Sequence, residues 1–390
     1  MDINTVNILI TGGLGFIGRA LAQHLLAEGG HRLTIVDKLS EQVHGPDPDY
    51  SDITTHPQVS FFRADICTPG VLCEALAGAE VVYHLAAETG TGQSMYEIQS
   101  YFQSNVMGTA ALLEHIVRDP ARRPRSVVLA SSRSVYGEGA YVRETKAQDP
   151  GATRHFPRTR RVADMEAGRF DFQLDGTPLT PVPTRETDPT DPQSLYAASK
   201  LTQEQMCRIA CASVGVNFTA LRFQNVYGPG QSLRNPYTGI LSIFTNILRQ
   251  GGTIDIFEDG EESRDFVYVQ DAVRALRVAP DRAPGTPEVI NVGQGARISV
   301  ARLVAMLERK IGVEGRSKVS GRFRPGDIRH NYADTTLMAT VLGLSSLVDL
   351  ETGLSATVDW ALTQPAEDDR SEKANRELSA FLKTKTRGWT

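Results

Sequence analysis

The sequence predicts an α/β fold with a doubly wound parallel sheet. The first apolar run, at residues 8–10, is short and uninterrupted, which suits a strand buried on both faces of a sheet. A glycine-rich turn and a helical pattern at residues 19–28 follow it directly. Strand and helix patterns then alternate as far as residue 130, and this alternation is typical of βαβ units with right-handed crossovers.

Three glycines spaced three residues apart, Gly12, Gly15 and Gly18, predict a dinucleotide site at this first turn. A missing Cβ permits the tight turn at Gly12, the approach of a pyrophosphate at Gly15 and close helix packing at Gly18. The helix that follows offers unpaired N–H groups to the phosphates. The second predicted strand, residues 32–36, ends at Asp37, whose carboxylate can bind a ribose 2′-OH and would repel a 2′-phosphate. The pattern therefore predicts a Rossmann-type sheet and favours NAD over NADP.

Three more strands are predicted in this half of the chain, at residues 59–63, 80–85 and 126–130. Helical patterns at 69–77 and 94–117 connect them. The polar stretch at 38–57, which is rich in Pro, Asp and Gly, predicts a surface loop. The carboxyl ends of these strands should face one crevice, which is where ligands bind in such sheets.

The alternation breaks at residues 137–193, which are dense in Pro, Gly, Arg, Asp and Thr and have no sustained periodicity. We expect a loop-rich insertion over the active-site side, with or without a small hairpin. A helix at 195–213 and a strand at 217–221 then resume the pattern. The predicted organisation is a dinucleotide-binding domain at 1–221, a smaller C-terminal α/β portion at 222–364 that mainly binds substrate, and a peripheral tail at 365–390 that is helical or partly disordered.

Composition argues against several classes of function. The chain has 390 residues and a net charge of -5, so neither nucleic acid nor an anionic membrane is expected as a partner. No apolar stretch approaches the roughly 18 residues that span a bilayer. Four cysteines and scattered histidines predict neither a disulfide framework nor a metal site. We therefore expect a cytoplasmic protein without a metal.

Two motifs carry side chains suited to catalysis. The first, Ser-Ser-Arg-Ser-Val-Tyr-Gly at 131–137, directly follows a predicted strand, so its hydroxyls either point into the ligand crevice or serve the turn itself. In the second, Tyr196 and Lys200 lie four residues apart on one helix face. An ammonium group near a phenol favours the phenolate and lowers its pKa, which would make Tyr196 a general base near neutral pH.

In this order, the motifs resemble those of the extended short-chain dehydrogenase/reductase family, in its nucleotide-sugar epimerase/dehydratase branch. The resemblance covers residues 7–360. Within the branch, the sequence at 131–139, the insertion and Arg-Pro-Gly-Asp-Ile-Arg-His at 324–330 most resemble a group of dTDP-L-rhamnose 4-epimerases. The NAD contacts that the resemblance implies are Gly12, Gly15, Phe16, Ile17, Gly18, Asp37, Lys38, Asp65, Ile66, Leu85, Ala86, Ala87, Asn105, Tyr196 and Lys200.

The resemblance also implies a role for each catalytic residue. Tyr196 would be the base, Ser132 would hydrogen-bond the reacting oxygen, and Lys200 would position the nicotinamide ribose and tune Tyr196. The implied substrate contacts are Glu88, Thr89, Ser132, Ser134, Asn225, Arg264 and Arg324. Asn225 would contact the pyrophosphate of a nucleoside-diphosphate sugar. The planar guanidinium groups of Arg264 and Arg324 would clamp that diphosphate, with surface ion pairing as the alternative for both.

The two residues after Ser132 discriminate among reactions of the branch. In its sugar 4,6-dehydratases an Asp-Glu pair follows the catalytic hydroxyl and performs the elimination, whereas this chain has Arg133 and Ser134. Dehydration is therefore disfavoured, and the resemblance to 4-epimerases implies 4-epimerisation, by transient oxidation at C4 and return of the hydride to the opposite face. A net dehydrogenase or ketoreductase with the same residues is the alternative. A non-catalytic NAD-binding regulator is a remoter one, because such relatives usually lack the Tyr/Lys pair.

The resemblance finally implies a homodimer. In the family, the subunits meet through the helices that correspond to residues 105–117 and 195–213.

Overall fold

The computed structural model describes residues 5–149, 151–237, 239–324 and 326–365, and within these ranges seven parallel strands form a central sheet. The strands lie side by side in the order Val289–Val292, Asn217–Phe223, Ser126–Ser132, Val81–His84, Val6–Thr11, His31–Asp37 and Val59–Arg63. Each neighbouring pair is parallel. The predicted doubly wound α/β fold is confirmed.

The first strand lies in the interior of this sheet, between Val81–His84 and His31–Asp37, and this position bears on where ligands can bind. From Val6–Thr11 the chain first builds outward to Val59–Arg63 and then returns to build the other half from Val81–His84 onward. The connections that leave the two neighbouring strands, Val6–Thr11 and Val81–His84, therefore lead toward opposite edges of the sheet. This reversal opens a crevice at the carboxyl ends of the strands. Thr11 and His84 are register partners at that edge, so the turns that follow them face each other.

Apolar side chains alternate between the two faces of the sheet. Ile8 and Ile10 pack into one hydrophobic cluster and Leu9 packs into the other, which confirms a strand buried on both sides. The helices that contribute to the first cluster include Phe16–Glu28, Val269–Val278 and Thr336–Leu342. Those that contribute to the second are Val71–Ala75, Gly108–Arg118 and Leu195–Val214.

The long helix predicted at 94–117 is interrupted. It consists of a 3₁₀ turn Gln93–Met95, a short helix Ile98–Tyr101, a π-helical stretch Phe102–Met107 and the helix Gly108–Arg118. Such a π-helical stretch widens the turn and changes the direction of the side chains within it. Here it includes the fully buried Asn105, whose amide bonds the backbone of Glu88. Helical periodicity alone could not reveal this tertiary contact.

The stretch at 38–57 is more ordered than the predicted surface loop. It contains two four-residue helices, Glu41–His44 and Ser51–Thr54. His44 Nδ1 lies 2.7 Å from the hydroxyl of Tyr50, and both side chains line the crevice. Helices this short leave no detectable period in the sequence, which is why the loop prediction was wrong here.

The insertion at 137–193 contains a small antiparallel sheet, which includes a hairpin of the kind that the sequence left open. Ala140–Arg143 pairs with Thr177–Val182, which also pairs with Gln173–Leu174, and a short helix lies at Val162–Glu166. Asp175 and Gly176 form the turn of the tight hairpin, and both residues have positive φ. An Asp-Gly pair between two extended segments is a strong sequence signal for such a turn.

The remaining C-terminal elements form a smaller unit with its own hydrophobic cluster. Its helices are Ile240–Arg249, Val300–Ile311 and Leu350–Thr363, and its strands are Asn225–Tyr227, Ile254–Ile256, Ser263–Arg264, Phe266–Tyr268, Ile298–Ser299, Ser317–Val319 and His330–Asn331. Single 3₁₀ turns occur at Pro120–Arg122, Arg133–Tyr136, Glu144–Lys146 and Ala279–Asp281.

The central sheet uses residues from both sides of the predicted boundary at residue 221. Val289–Val292 lies within the portion predicted to bind substrate, yet it forms the edge of the central sheet beside Asn217–Phe223. Of the predicted tail, residues 366–390 lie outside the described residues. No helix in the described part of the chain is long and apolar enough to cross a membrane.

Candidate active site

The glycine turn closes tightly over the carboxyl end of the first strand. Gly12 has φ +68°, and a Cβ added there would lie 2.7 Å from the Cα of Ala86 on the neighbouring strand's exit. A Cβ on Gly18 would collide with the carbonyl oxygen of Gly12. Gly15 immediately precedes the helix Phe16–Glu28 and lines the crevice. The backbone N–H groups at the start of this helix are therefore open to an anionic ligand.

Asp37 stands beside this turn at the end of the second strand. Its carboxylate accepts hydrogen bonds from the backbone N–H groups of Leu14 (3.0 Å) and Leu39 (2.9 Å). His44 Nε2 lies 3.6 Å from the same carboxylate. Burial lowers the pKa of His44, and the neighbouring Asp37 partly opposes this. The acid predicted to bind the cofactor ribose is thus held at the wall of the crevice.

Lys38, the next residue, connects two predicted contact regions. Its Nζ donates to Glu88 Oε1 at 2.6 Å and lies 3.8 Å from Asp65. Burial opposes the charge on Lys38, but the Glu88 and Asp65 carboxylates outweigh it and raise the pKa of Lys38. Asn105 lies behind this wall and does not line the crevice: it accepts from the N–H of Glu88 at 2.8 Å and donates to Ser199 Oγ at 2.9 Å. It therefore supports the cavity wall from behind.

Ser132 ends the fifth strand of the chain and precedes the 3₁₀ turn Arg133–Tyr136. Its Oγ accepts hydrogen bonds from the N–H (3.2 Å) and the hydroxyl (2.9 Å) of Ser134. The two readings of this motif thus both apply, because Ser132 caps the turn and also lines the crevice.

Tyr196 and Lys200 lie in the first turns of the helix Leu195–Val214, which Ser194 caps by accepting from the N–H of Ala197 at 3.1 Å. The ammonium of Lys200 lies 6.0 Å from the ring centroid of Tyr196 and donates to the carbonyl of Ala130 at 3.0 Å. Burial raises the pKa of Tyr196, while a hydrogen bond with Ser132 and the charge of Arg133 oppose this rise. Burial lowers the pKa of Lys200 to about 8.

A buried polar network supports this helix and was missed from the sequence. Glu204, one turn beyond Lys200, accepts from Arg222 Nη2 at 2.7 Å and Nε at 2.9 Å, and from the hydroxyl of Ser131. The guanidinium of Arg222 also lies over the ring of Tyr136, 4.7 Å from its centroid. The spacing of Lys200 and Glu204 on one helix face was the available signal.

His84 belongs to a second supporting contact. Its Nδ1 lies 2.8 Å from Thr11 Oγ1, and its Nε2 lies 2.8 Å from Thr109 Oγ1. Burial, together with the charge of Lys200, lowers the pKa of His84 to about 3. The ring is therefore neutral and joins the first strand to the helix behind the site.

A single cavity of about 670 Å³ brings these residues together. The predicted residues that line it are Gly12, Gly15, Phe16, Ile17, Gly18, Asp37, Lys38, Asp65, Ile66, Leu85, Ala86, Ala87, Glu88, Thr89, Ser132, Ser134, Tyr196, Lys200 and Asn225. Lining residues that were not predicted include His44, Tyr50, Arg133, Gln224, Arg234, Asn235, Tyr237 and Trp360. Most of the second set lie on loops without a motif, and Arg133 was interpreted only as a replacement for an acid.

The two arginines predicted to clamp a diphosphate do not line this cavity. Arg264 donates to the carbonyls of Ser263 (2.9 Å) and Ile328 (2.8 Å), and its Nη2 lies 3.9 Å from Asp327. Arg324 packs over the ring of Phe257, 4.7 Å from its centroid. The carbonyl of Ile328 belongs to a loop more than sixty residues away, which the motif around Arg264 could not reveal. The structure thus brings Asn225, but neither arginine, to the cavity wall.

Comparison with known proteins identifies the family. Residues 8–167 and 175–293 match the model of the NAD dependent epimerase/dehydratase family. The chain belongs to this family. The predictions of the family, of NAD as its cofactor and of an enzyme of the epimerase type are thereby confirmed.

Relatives within the family include both epimerases and dehydratases. The chain is 35% identical over 355 residues to dTDP-L-rhamnose 4-epimerase of Burkholderia thailandensis, covering 90% of this chain and 94% of the relative. It is 29% identical to dTDP-glucose 4,6-dehydratase of Streptomyces griseus, over 91% of this chain and 94% of the relative. The solved UDP-glucuronic acid 4-epimerase of Bacillus cereus, in complex with UDP-glucuronic acid and NAD, shares 26% identity and a TM-score of 0.72, and covers 91% of this chain and 98% of that one.

The residues at the glycine turn fit the cofactor of this family. Space for a side chain is absent at Gly12 and Gly18, whereas Gly15 opens into the cavity. Asp37 lies about 20 residues after the glycine turn, at the end of the second strand, which is the position of an acid that binds a ribose hydroxyl. Gly12, Gly15 and the first turn of the following helix would hold the NAD pyrophosphate, and Asp37 would hold the adenosine ribose.

Ion pairs attach the insertion to the C-terminal unit, and the pair of Arg160 with Glu258 is buried. Arg160 donates to Glu258 at 2.6 Å, and Arg329 donates to Asp171 at 2.8 Å.

Within the described part of the chain, one group of acids, Glu258, Asp259 and Glu262, is close enough together to hold a metal ion. The guanidinium of Arg329 already bonds the first two of these acids. The absence of a metal site stays a prediction.

Proposed function

We propose that the protein is an NAD-dependent nucleotide-sugar 4-epimerase, which oxidises C4 of the sugar transiently to a 4-keto group and returns the hydride to the opposite face. The observation that carries the proposal is the position of Ser132 and Tyr196 beside the glycine turn, in one cavity with Arg133 and Ser134. An arginine and a serine offer no carboxyl group for the elimination that a dehydratase performs. The site is thus equipped for proton and hydride transfer at a carbinol without loss of water.

The side chains of the protein account for the proton transfers. In the oxidising direction the Tyr196 phenolate accepts the proton of the C4 hydroxyl, while the Ser132 hydroxyl donates a hydrogen bond to that oxygen. NAD, when bound, supplies the acceptor and later the donor of the C4 hydride. In the reducing direction Tyr196 returns its proton to the C4 oxygen after the sugar has presented its other face. Tyr196 is then ionised again, and the substrate undergoes no net change of oxidation state.

Lys200 supports this chemistry from the inner side of the helix. Its pKa of about 8 leaves the ammonium mostly protonated at neutral pH, and a positive charge near Tyr196 favours the phenolate. We infer that it also binds the nicotinamide ribose, as the family resemblance implies.

A nucleoside diphosphate is the proposed carrier of the sugar. The cavity wall runs from Tyr196 past Asn225 to a loop that includes Arg234 and Asn235, so amide and guanidinium groups border the space beyond the sugar site. Arg264 and Arg324 would contribute to binding the diphosphate only if their guanidinium groups left the positions described above. The name of the Burkholderia relative makes dTDP-L-rhamnose the first substrate to test.

Proton NMR of the purified protein with a panel of nucleotide sugars, led by dTDP-L-rhamnose and UDP-glucose, tests this proposal. A new anomeric signal that approaches a fixed ratio without added NAD is expected for one member of the panel. Conversion that requires stoichiometric NAD or NADH would instead indicate a net dehydrogenase or ketoreductase. A protein that binds NAD but converts no member under either condition would favour a regulator, which the joint presence of Ser132, Tyr196 and Lys200 argues against.

We also propose that the protein is a homodimer. Large apolar side chains are exposed on the helices that the resemblance assigns to the interface: Met107 is 53% exposed and Ile209 is 67% exposed. Light scattering coupled to size-exclusion chromatography should give twice the 42.6 kDa mass of one chain. The cytoplasmic location stays a prediction.

A further inference from the structure

Arg133 occupies the position where the sequence analysis noted only a missing acid. It follows Ser132 directly and begins the 3₁₀ turn Arg133–Tyr136 at the carboxyl end of a central strand. Its side chain lines the cavity together with Ser132 and Tyr196. A cation has thus been placed beside the two groups that are proposed to handle the reacting oxygen.

Within the described ranges, the guanidinium of Arg133 takes part in no hydrogen bond and no ion pair, in contrast to other cations of the cavity wall. Arg19 pairs with Asp52 at 3.1 Å, and Lys38 pairs with Glu88 at 2.6 Å. A guanidinium carries five N–H donors and no acceptor, so a partly buried one without partners has lost hydration that nothing in the protein replaces. An oxygen-rich ligand in the cavity would replace it.

The acids nearest to Arg133 are engaged elsewhere. Glu138 accepts from the N–H of Arg329 at 2.9 Å and from the hydroxyl of Tyr141 at 3.3 Å. Asp327 lies 3.9 Å from Arg264 Nη2. Burial, together with the like charge of Arg264, lowers the pKa of Arg133 to about 9, which still leaves the side chain charged at neutral pH.

We propose that Arg133 is a further catalytic residue, which donates hydrogen bonds to oxygen substituents of the substrate sugar and whose positive charge stabilises the Tyr196 phenolate. This inference rests on the proposed function, because it assigns the sugar to the end of the cavity where Ser132 and Tyr196 lie. Two cations, Lys200 and Arg133, would then stabilise the Tyr196 phenolate, a role that was first assigned to Lys200 alone.

The surroundings of Tyr196 support this division. Its charged or titratable neighbours are Arg133 from the strand exit, Lys200 on its own helix and Tyr101, whose ring centroid lies 6.4 Å away in an edge-to-face arrangement. Burial raises the pKa of Tyr101, so that ring is neutral at the pH of catalysis. Lys200 is bonded to the carbonyl of Ala130, whereas Arg133 retains all its donors. Tyr196 thus has two cations near it, of which, among the described residues, Lys200 is hydrogen-bonded and Arg133 is not.

Three variants separate the roles of charge and of hydrogen bonding. Arg133→Met removes both, Arg133→Lys keeps the charge, and Arg302→Met removes the same charge from an exposed position on the helix Val300–Ile311, outside the cavity. For Arg133→Met we expect kcat/KM to fall about 10- to 100-fold, the range for losing a charge-assisted hydrogen bond. We also expect the acidic limb of the kcat profile to move to higher pH, because the loss of a cation raises the pKa of the base.

The other two variants should differ from Arg133→Met in a defined way. Arg133→Lys should restore the acidic limb but retain a raised KM, because one ammonium cannot reproduce the fork of a guanidinium. Arg302→Met should match the wild type in both respects. Suppose that the wild-type protein epimerises its substrate. If Arg133→Met then kept the KM and the acidic limb of the wild type, the role of Arg133 would be refuted and the proposed function would stand.

A second readout does not depend on turnover. Tyrosinate absorbance of the NAD-loaded protein is recorded as a function of pH, and the Tyr196→Phe curve in the same background is subtracted so that only Tyr196 contributes. Arg133→Met should shift this curve to higher pH, and Arg133→Lys should return it toward the wild type. If no nucleotide sugar were converted, the proposed function would fail while this titration still decided the effect of Arg133; superimposable curves would refute that effect.

Discussion

Replacing Glu204 by leucine should lower the free energy of unfolding by about 3 to 5 kcal/mol, because it leaves the buried charge of Arg222 without a partner. Both side chains are buried and joined by two hydrogen bonds, of 2.7 and 2.9 Å. Arg222 also contacts the side chain of Tyr136 and a carbonyl at 3.4 Å, and neither replaces a carboxylate. The magnitude therefore comes from an unpaired guanidinium, with a smaller contribution from the lost bond to Ser131.

Urea unfolding monitored by circular dichroism measures this effect, and two controls show its cause. The double variant Glu204→Leu/Arg222→Met should recover most of the lost stability, since apolar side chains of similar volume can replace a buried ion pair. Removing an exposed pair, by Glu114→Gln opposite Arg118, should change stability by no more than about 0.5 kcal/mol. A single variant as stable as the wild type, or a double variant no better than the single one, would refute the reasoning.

Three further predictions concern cofactor binding, catalysis and pH. Tyr196→Phe should reduce turnover by at least about 10²-fold in the NMR assay while NAD binding and the melting temperature stay close to those of the wild type. Gly18→Ala should weaken NAD binding at least about tenfold by calorimetry, because its Cβ collides with the Gly12 carbonyl, whereas Gly151→Ala, at an exposed position, should not. The pKa of His84 falls from 6.5 to about 3 on folding, so stability should be lost as pH falls from 6.5 toward 3; His84→Gln should flatten that slope in urea unfolding by one proton.

Elements that depend on local features could be predicted from the sequence. The run at 8–10 and the glycine turn after it are local features, since burial on both faces and the need for φ > 0 act on single residues. The place of Val289–Val292 at the sheet edge, in contrast, depends on pairing with residues about seventy positions earlier in the chain. No local pattern encodes such a partner.

The predictions for the site divide in a similar way. Ser132 and Asn225 reach one cavity because each lies at or just beyond the carboxyl end of a strand, and Tyr196 joins them from the first turn of the helix that precedes Asn217–Phe223. The position of Arg264 depends instead on the carbonyls of Ile328 and Arg329, more than sixty residues later in the chain, which accept its hydrogen bonds before any ligand does. Arg133 shows a third case. That its guanidinium lacks hydrogen-bond partners in the described part of the chain follows only from the positions of the acids around it, which the sequence does not give.

The central claim is that C4 loses and regains the same hydride, and an isotope experiment tests it most directly. The nucleotide sugar that the panel identifies is prepared with deuterium at C4 and converted in ordinary water, and the unlabelled sugar is converted in D₂O. The account predicts a product that retains deuterium at C4 in the first case and acquires none from solvent in the second. Loss of the label, or uptake of solvent deuterium at C4, would show proton rather than hydride transfer and would contradict the account.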